Sequence, residues 1–168
     1  LINRFGGELK IHPFGDELIS LLQACYTKGE TLEAATFKLV NELFKSHGLV
    51  ILLPDNPQLK ASFIPVVEQE LKTGFSHRAV EDTVKSFPKE YKLQASGRDL
   101  NLFYLLDDKR ERIVFDNSTF MIQSLNLQFS LDEILAELHA HPERFSPNVI
   151  LRPVFQEMIL PNIAFIGG

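Results

Sequence analysis

The sequence has no tryptophan, one cysteine (Cys25) and two methionines among 168 residues. A single thiol cannot form a disulfide within the chain, so the fold must hold by packing. A lone cysteine also suits a reducing compartment, and a cytoplasmic protein is expected. No apolar run approaches the roughly 18–20 residues that a membrane-spanning helix needs, so no membrane partner is expected. Positive charge is scarce as well. Lys and Arg number 17 against 22 Asp and Glu, for a net charge of −5 and a pI near 5.5. That balance argues against a sequence-independent grip on DNA or RNA, which needs clustered basic residues. The chain opens on Leu1 instead of Met and closes on an apolar run stopped by Gly167 and Gly168. Both ends read as cut from a longer protein, the alternative being a natural glycine tail.

What is present is enough for a packed interior. Hydrophobic residues make up 45% of the chain, 14 of them Phe, about one domain's worth by size. Leu18, Ile19, Leu21, Leu22, Cys25 and Tyr26 recur at helical spacing, and Thr31 can N-cap a second helix that ends before Gly48. The unbroken apolar run Leu49–Leu53 predicts a central strand buried on both faces of a parallel sheet. Asn56 and Pro57 then form a cap and first turn for a helix to about Lys72, which Pro65 should kink or divide. Helix, buried strand and helix in that order imply an α/β fold, part of a doubly wound core.

Past a short helix capped by Ser76, the pattern changes to short strands at 92–95, 101–106, 112–115 and 119–122. Turn formers Asp107, Asp108, Lys109, Asp116 and Asn117 separate them, as in an antiparallel insertion. Ser130 and Glu133 form a capping box for a helix to about His141. The last segment reads as turn, helix over about 153–160, and strand. The expected organisation is core over 1–75, a β-rich connective insertion over 76–140, and a return to the core over 141–168.

Candidate chemistry is sparse. His139 and His141 lie two apart on a helix and project about 200° apart, so they cannot share a metal ion from one face, and no metal site is evident. Cys25 shares a stripe with Leu18, Leu21 and Leu22, where a thiol packs as a small hydrophobe. The acidic pairs Asp107–Asp108 and Asp132–Glu133 suit a turn and a helix first turn. The segment 146–157 differs, placing Asn148, Arg152, Gln156 and Glu157 around a helix start. Arg152 could fork onto a carboxylate or phosphate, Asn148 and Gln156 could orient it, and Gly167 and Gly168 could line the floor. The competing account is that Arg152 pairs with Glu157 or caps carbonyls. The residues alone leave both open.

The stretch Ser146-Pro147-Asn148-Val149-Ile150-Leu151-Arg152-Pro153-Val154-Phe155-Gln156-Glu157, continuing from Leu160-Pro161-Asn162 to Gly168, resembles the signature of the bacillithiol-biosynthesis cysteine-adding enzymes. Gly48–Asp55 with the helix after Pro57, and Asn101–Leu105 with Arg112, resemble the same family. The resemblance implies a ligase joining cysteine to glucosaminyl-malate, with a Rossmann-like core, ATP as a possible co-substrate by analogy, and a homodimeric parent. Asn148, Arg152, Gln156, Asn162, Gly167 and Gly168 are the candidates for binding substrate or nucleotide, and no residue is named as catalytic. Family residues needed for chemistry would lie upstream of Leu1, so the chain alone is expected to be inactive. Two rivals remain: a non-catalytic binding module for a small molecule or nucleotide, and an interaction domain acting through its β-rich insertion.

Overall fold

A computed structural model describes residues 2–93 and 95–164, with side chains from residue 6 onward. The chain divides into two compact units, residues 1–53 and 54–168.

The first unit is helical: α1 (Ile2–Leu9), α2 (Gly15–Cys25) and α3 (Leu32–Phe44). Thr31 caps α3 by accepting from the Ala34 amide at 3.1 Å, and Gly48 is left-handed at φ +71°, closing the short turn Lys45–His47 as its spacing predicts. Cys25 is 3% exposed and packs as a core residue. The predicted strand at Leu49–Leu53 is not formed. The segment is irregular, and Leu49 and Val50 are exposed. An apolar run becomes a strand only where a neighbouring strand takes up its amides and carbonyls, and among the described residues none does.

The second unit begins with α4 (Pro57–Ser62), α5 (Ile64–Thr73) and α6 (Phe75–Ser86). Asn56 accepts from the amides of Gln58 and Leu59, and Pro65 begins α5, dividing the predicted helix at Phe63. The cap of α6 is Gly74, not Ser76. Two three-stranded antiparallel sheets follow, with α7 (Leu131–Ala140) before the last strand and α8 (Arg152–Ile159) after it. One sheet runs β2 (Lys109–Arg112), β1 (Leu102–Leu106), β6 (Phe145–Pro147), and the other runs β3 (Val114–Asp116), β4 (Thr119–Ile122), β5 (Leu127–Phe129). The strand predicted over 112–115 is split at buried Ile113, where the chain leaves one sheet for the other. Residues 92, 93 and 95 form no strand, and Gln94 lies outside the described residues. Of the final strand, Ile163 and Ala164 form none, and Phe165 and Ile166 lie outside the described residues. The mixture of helix and strand holds, but the sheets are antiparallel, and a doubly wound parallel sheet is not formed by the described residues.

The core of this unit joins Phe63, Val67 and Leu71 from the helices to Leu102, Tyr104, Phe120, Ile122, Ile134, Leu138, Phe145 and Phe155. The Phe63 and Phe155 rings pack at a tilt with centroids 4.9 Å apart, joining α8 to the α4–α5 junction. The predicted capping box is complete: Ser130 Oγ accepts from the Glu133 amide, and the Glu133 carboxylate accepts from the Ser130 amide. No helix is long and apolar enough to cross a membrane among the described residues.

Candidate functional site

A chain of buried polar groups runs behind the turn that carries Arg152. Glu70 is fully buried on α5, and its two oxygens accept from the Ser76 amide (3.1 Å), the Ser76 hydroxyl (2.7 Å) and the Asn101 amide (2.9 Å). Asn101, equally buried, donates through Nδ2 to Ser76 Oγ at 2.6 Å and to the Arg98 carbonyl at 2.9 Å. Its Oδ1 accepts from the Arg98 amide (3.2 Å) and from Asn148 Nδ2 (2.7 Å). Asn148 Oδ1 then accepts from the amides of Ile150 (2.8 Å) and Leu151 (3.4 Å), and its carbonyl from the Arg152 amide (2.9 Å). Every member is satisfied, as a buried network must be to stabilise anything. The network fixes the backbone at Arg98 and at the start of α8.

Those two positions, with two from β2, line one cavity of about 450 Å³. Arg98, Arg110, Arg112 and Arg152 all reach it, together with Asn148, Phe103, Leu100, Leu102 and Val149. Strand pairing explains the placement, because Arg112 lies opposite Phe103, and Arg110 opposite Leu105. The Arg110 guanidinium stacks over the Phe103 ring at 3.7 Å and donates to the Pro147 carbonyl at 3.3 Å. Burial lowers the pKa of Arg110 from its ordinary value, the positive charge of Arg152 lowers it further, and Asp55 opposes both. Among the described residues, no carboxylate lies within 4.0 Å of any of the four guanidinium groups. All four arginines are exposed to solvent, and like charges gathered around one concave surface attract an anion.

The predicted residues separate accordingly. Arg152 and Asn148 meet in the cavity, Asn148 with its side chain committed to holding the turn. Gln156 is exposed and does not line the cavity. Asn162 donates from its amide and side chain to Glu157 at 3.2 and 2.8 Å, so Glu157 is engaged there and makes no ion pair with Arg152. Gly167 and Gly168 lie outside the described residues. Arg98, Arg110 and Arg112 escape a reading along the sequence because only the fold brings them to Arg152; the three basic residues within 109–112 are the one signal that points there.

Elsewhere, His139 approaches Glu68 (3.9 Å) and His141 approaches Glu143 (3.1 Å), each with a different carboxylate. Among the described residues no three His, Cys, Asp or Glu gather as a metal would require. An interaction domain acting through the 101–106 strand would show that strand apolar and open, with no cleft at Arg152. Instead β1 is the middle strand of its sheet, Leu102 and Tyr104 are each 1% exposed, and the cleft is there.

All 168 residues match the family model described as bacillithiol biosynthesis BshC, N-terminal Rossmann-like domain. The chain belongs to this family. Its relatives include proteins named for a cysteine ligase, BshC. That of Flavobacterium johnsoniae is 46% identical over 151 residues, covering 90% of this chain and 28% of that protein. That of Christiangramia forsetii is 42% identical over 159 residues, covering 92% and 30%. That of Flavobacterium psychrophilum is 40% identical over 164 residues, covering 98% and 31%. The chain thus spans under a third of the length of these BshC relatives.

Proposed function

We propose that this chain is part of a cytoplasmic cysteine ligase that joins cysteine to glucosaminyl-malate through an amide bond, and that the four-arginine cavity holds an anionic group of one of its substrates. The observation that carries the reading is the convergence of Arg98, Arg110, Arg112 and Arg152 on one cavity in a chain whose net charge is −5. Membership of the BshC family supplies the reaction class.

Amide formation from a free carboxylate and an amine needs the carboxylate activated, and ATP is the expected source by analogy with synthetase-like cores. Within this chain, Arg152 forks onto the anion, Arg110 adds a second fork, and Asn148 holds the α8 turn so that both meet one ligand. No side chain described here is assigned proton transfer. We take the doubly wound core that the resemblance implies to be completed by the rest of the protein, and the whole to work as a homodimer.

The test is turnover of cysteine, glucosaminyl-malate and ATP by the full-length protein and by its Arg152→Ala variant. Losing a charge-assisted pair should lower kcat/KM roughly 10- to 100-fold. An Arg152→Ala enzyme that works at the wild-type rate sinks the assignment of this cavity.

A further inference from the structure

We infer that the cavity takes a multiply charged oxyanion gripped jointly by Arg110 and Arg152, with Arg98 and Arg112 flanking it. The class includes dicarboxylates and phosphates, and the inference rests on reading the cavity as a substrate site. Nothing in the family's name or in the resemblance assigns Arg98, Arg110 or Arg112 a role.

Three observations converge. The first is charge: four guanidinium groups share about 450 Å³, and among the described residues no carboxylate pairs with them. Leu100, Leu102, Phe103 and Val149 form the apolar part of the wall and Ser96 and Asn148 the polar part, and the four arginines, each exposed to solvent, gather their charge around this one concave surface.

The second is rigidity. The Arg110 guanidinium lies over the Phe103 ring at 3.7 Å and uses one N–H on the Pro147 carbonyl, which restrains it with donors to spare. Arg98 and Arg152 stand on backbone fixed by Asn101 and Asn148. A grip ordered beforehand loses little entropy when the ligand arrives.

The third is mutual repulsion. The nearness of Arg152 and the burial of Arg110 both disfavour the Arg110 charge, and a single negative charge cannot neutralise both forks. An anion with two charges can, one for each guanidinium. Selectivity for charge number follows from the pairing of Arg110 with Arg152, more than from either alone.

Isothermal titration calorimetry on the full-length protein tests this with acetate, succinate, inorganic phosphate and pyrophosphate as probes. Succinate or pyrophosphate should bind at least tenfold more tightly than acetate. Arg110→Gln and Arg152→Gln should each cut that affinity at least tenfold, and Phe103→Leu, which keeps the apolar wall but removes the stacking face, several-fold. Binding of succinate alone identifies a carboxylate source, and binding of pyrophosphate alone a phosphate source; either supports the inference. Acetate binding as tightly as the dianions, no binding of any probe, or unchanged affinity in both arginine variants overturns it. Should a variant fail to fold, the wild-type protein suffices. Raising KCl from about 50 to 300 mM must weaken dianion binding several-fold, and salt-insensitive binding is equally fatal. Ligase turnover is read separately. Dianion binding without turnover refutes the proposed reaction and spares this inference, whereas turnover without dianion binding does the reverse.

Discussion

Tyr104 carries a hydroxyl into the densest part of the core and donates it to Glu137 at 2.6 Å, while Arg144 donates to the same carboxylate oxygen at 2.7 Å. The Tyr104 ring is 1% exposed and packs edge-on against Phe145. Tyr104→Phe keeps the ring and removes one donor from a carboxylate that retains Arg144. The expected loss is about 1–2 kcal/mol, read as a lower urea midpoint with an unchanged slope; an unshifted midpoint would show the hydroxyl to be idle. At this scale the sequence is informative about Arg152 and Asn148, because polar residues crowding a helix start are visible along the chain. It is silent about Arg110 and Phe103, whose meeting depends on strand register, and about Asn101, an ordinary polar residue until Glu70, Ser76 and Asn148 surround it.

Helices are more legible than strands here, for a local reason. Thr31, Asn56 with Pro57, and Ser130 with Glu133 each act within three or four residues, and all three caps form as their spacing predicts. Leu49–Leu53 reads as a strand from composition alone, but strand formation is decided by a partner distant in sequence. Ser76 shows the same limit inside a helix: it has a capping residue's chemistry, yet its hydroxyl turns inward to Glu70, and Gly74 ends α5 and begins α6 instead. Gly74 is left-handed at φ +56°, and a Cβ there would sit 2.9 Å from the Asp99 carbonyl oxygen. Gly74→Ala therefore meets both backbone strain and a clash with main chain. We expect a loss of about 1–3 kcal/mol, with amide exchange accelerating first in α5 and α6. Slow exchange preserved in both helices would contradict this account of the junction.

For the unit spanning 54–168, stability should decline at both ends of the pH range. Burial works against the Glu137 carboxylate, but hydrogen bonds from Tyr104 and Arg144 outweigh it and hold its pKa below 4.5. Its contribution is complete above that value and is withdrawn as pH falls through the lower folded value. Burial first, then the bond to Glu137, pushes Tyr104 up to about 12 from 10.0. Its contribution is intact below pH 10 and is lost as pH rises toward 12. Urea midpoints measured from pH 3 to 11.5 should thus form a plateau with two falling limbs. Tyr104→Phe should flatten the alkaline limb, and an alkaline limb as steep as the wild type's would place the cause elsewhere.

The buried chain from α8 to Glu70 also has a sense of direction. The Ile150 amide donates to Asn148, Asn148 to Asn101, Asn101 to Ser76, and the Ser76 hydroxyl to Glu70. Every dipole points the same way, toward a terminal group that can only accept while ionised. A Gln in place of Glu70 can keep its carbonyl oxygen where the Ser76 hydroxyl and the Asn101 amide donate, setting an NH2 only against the Ser76 amide, whereas a Leu removes all three acceptor contacts at once and leaves the chain without its terminus. The floor of the arginine cavity should therefore behave like a row of dominoes: intact at its far end it stands everywhere, and disturbed there, some distance from any ligand, it falls as one.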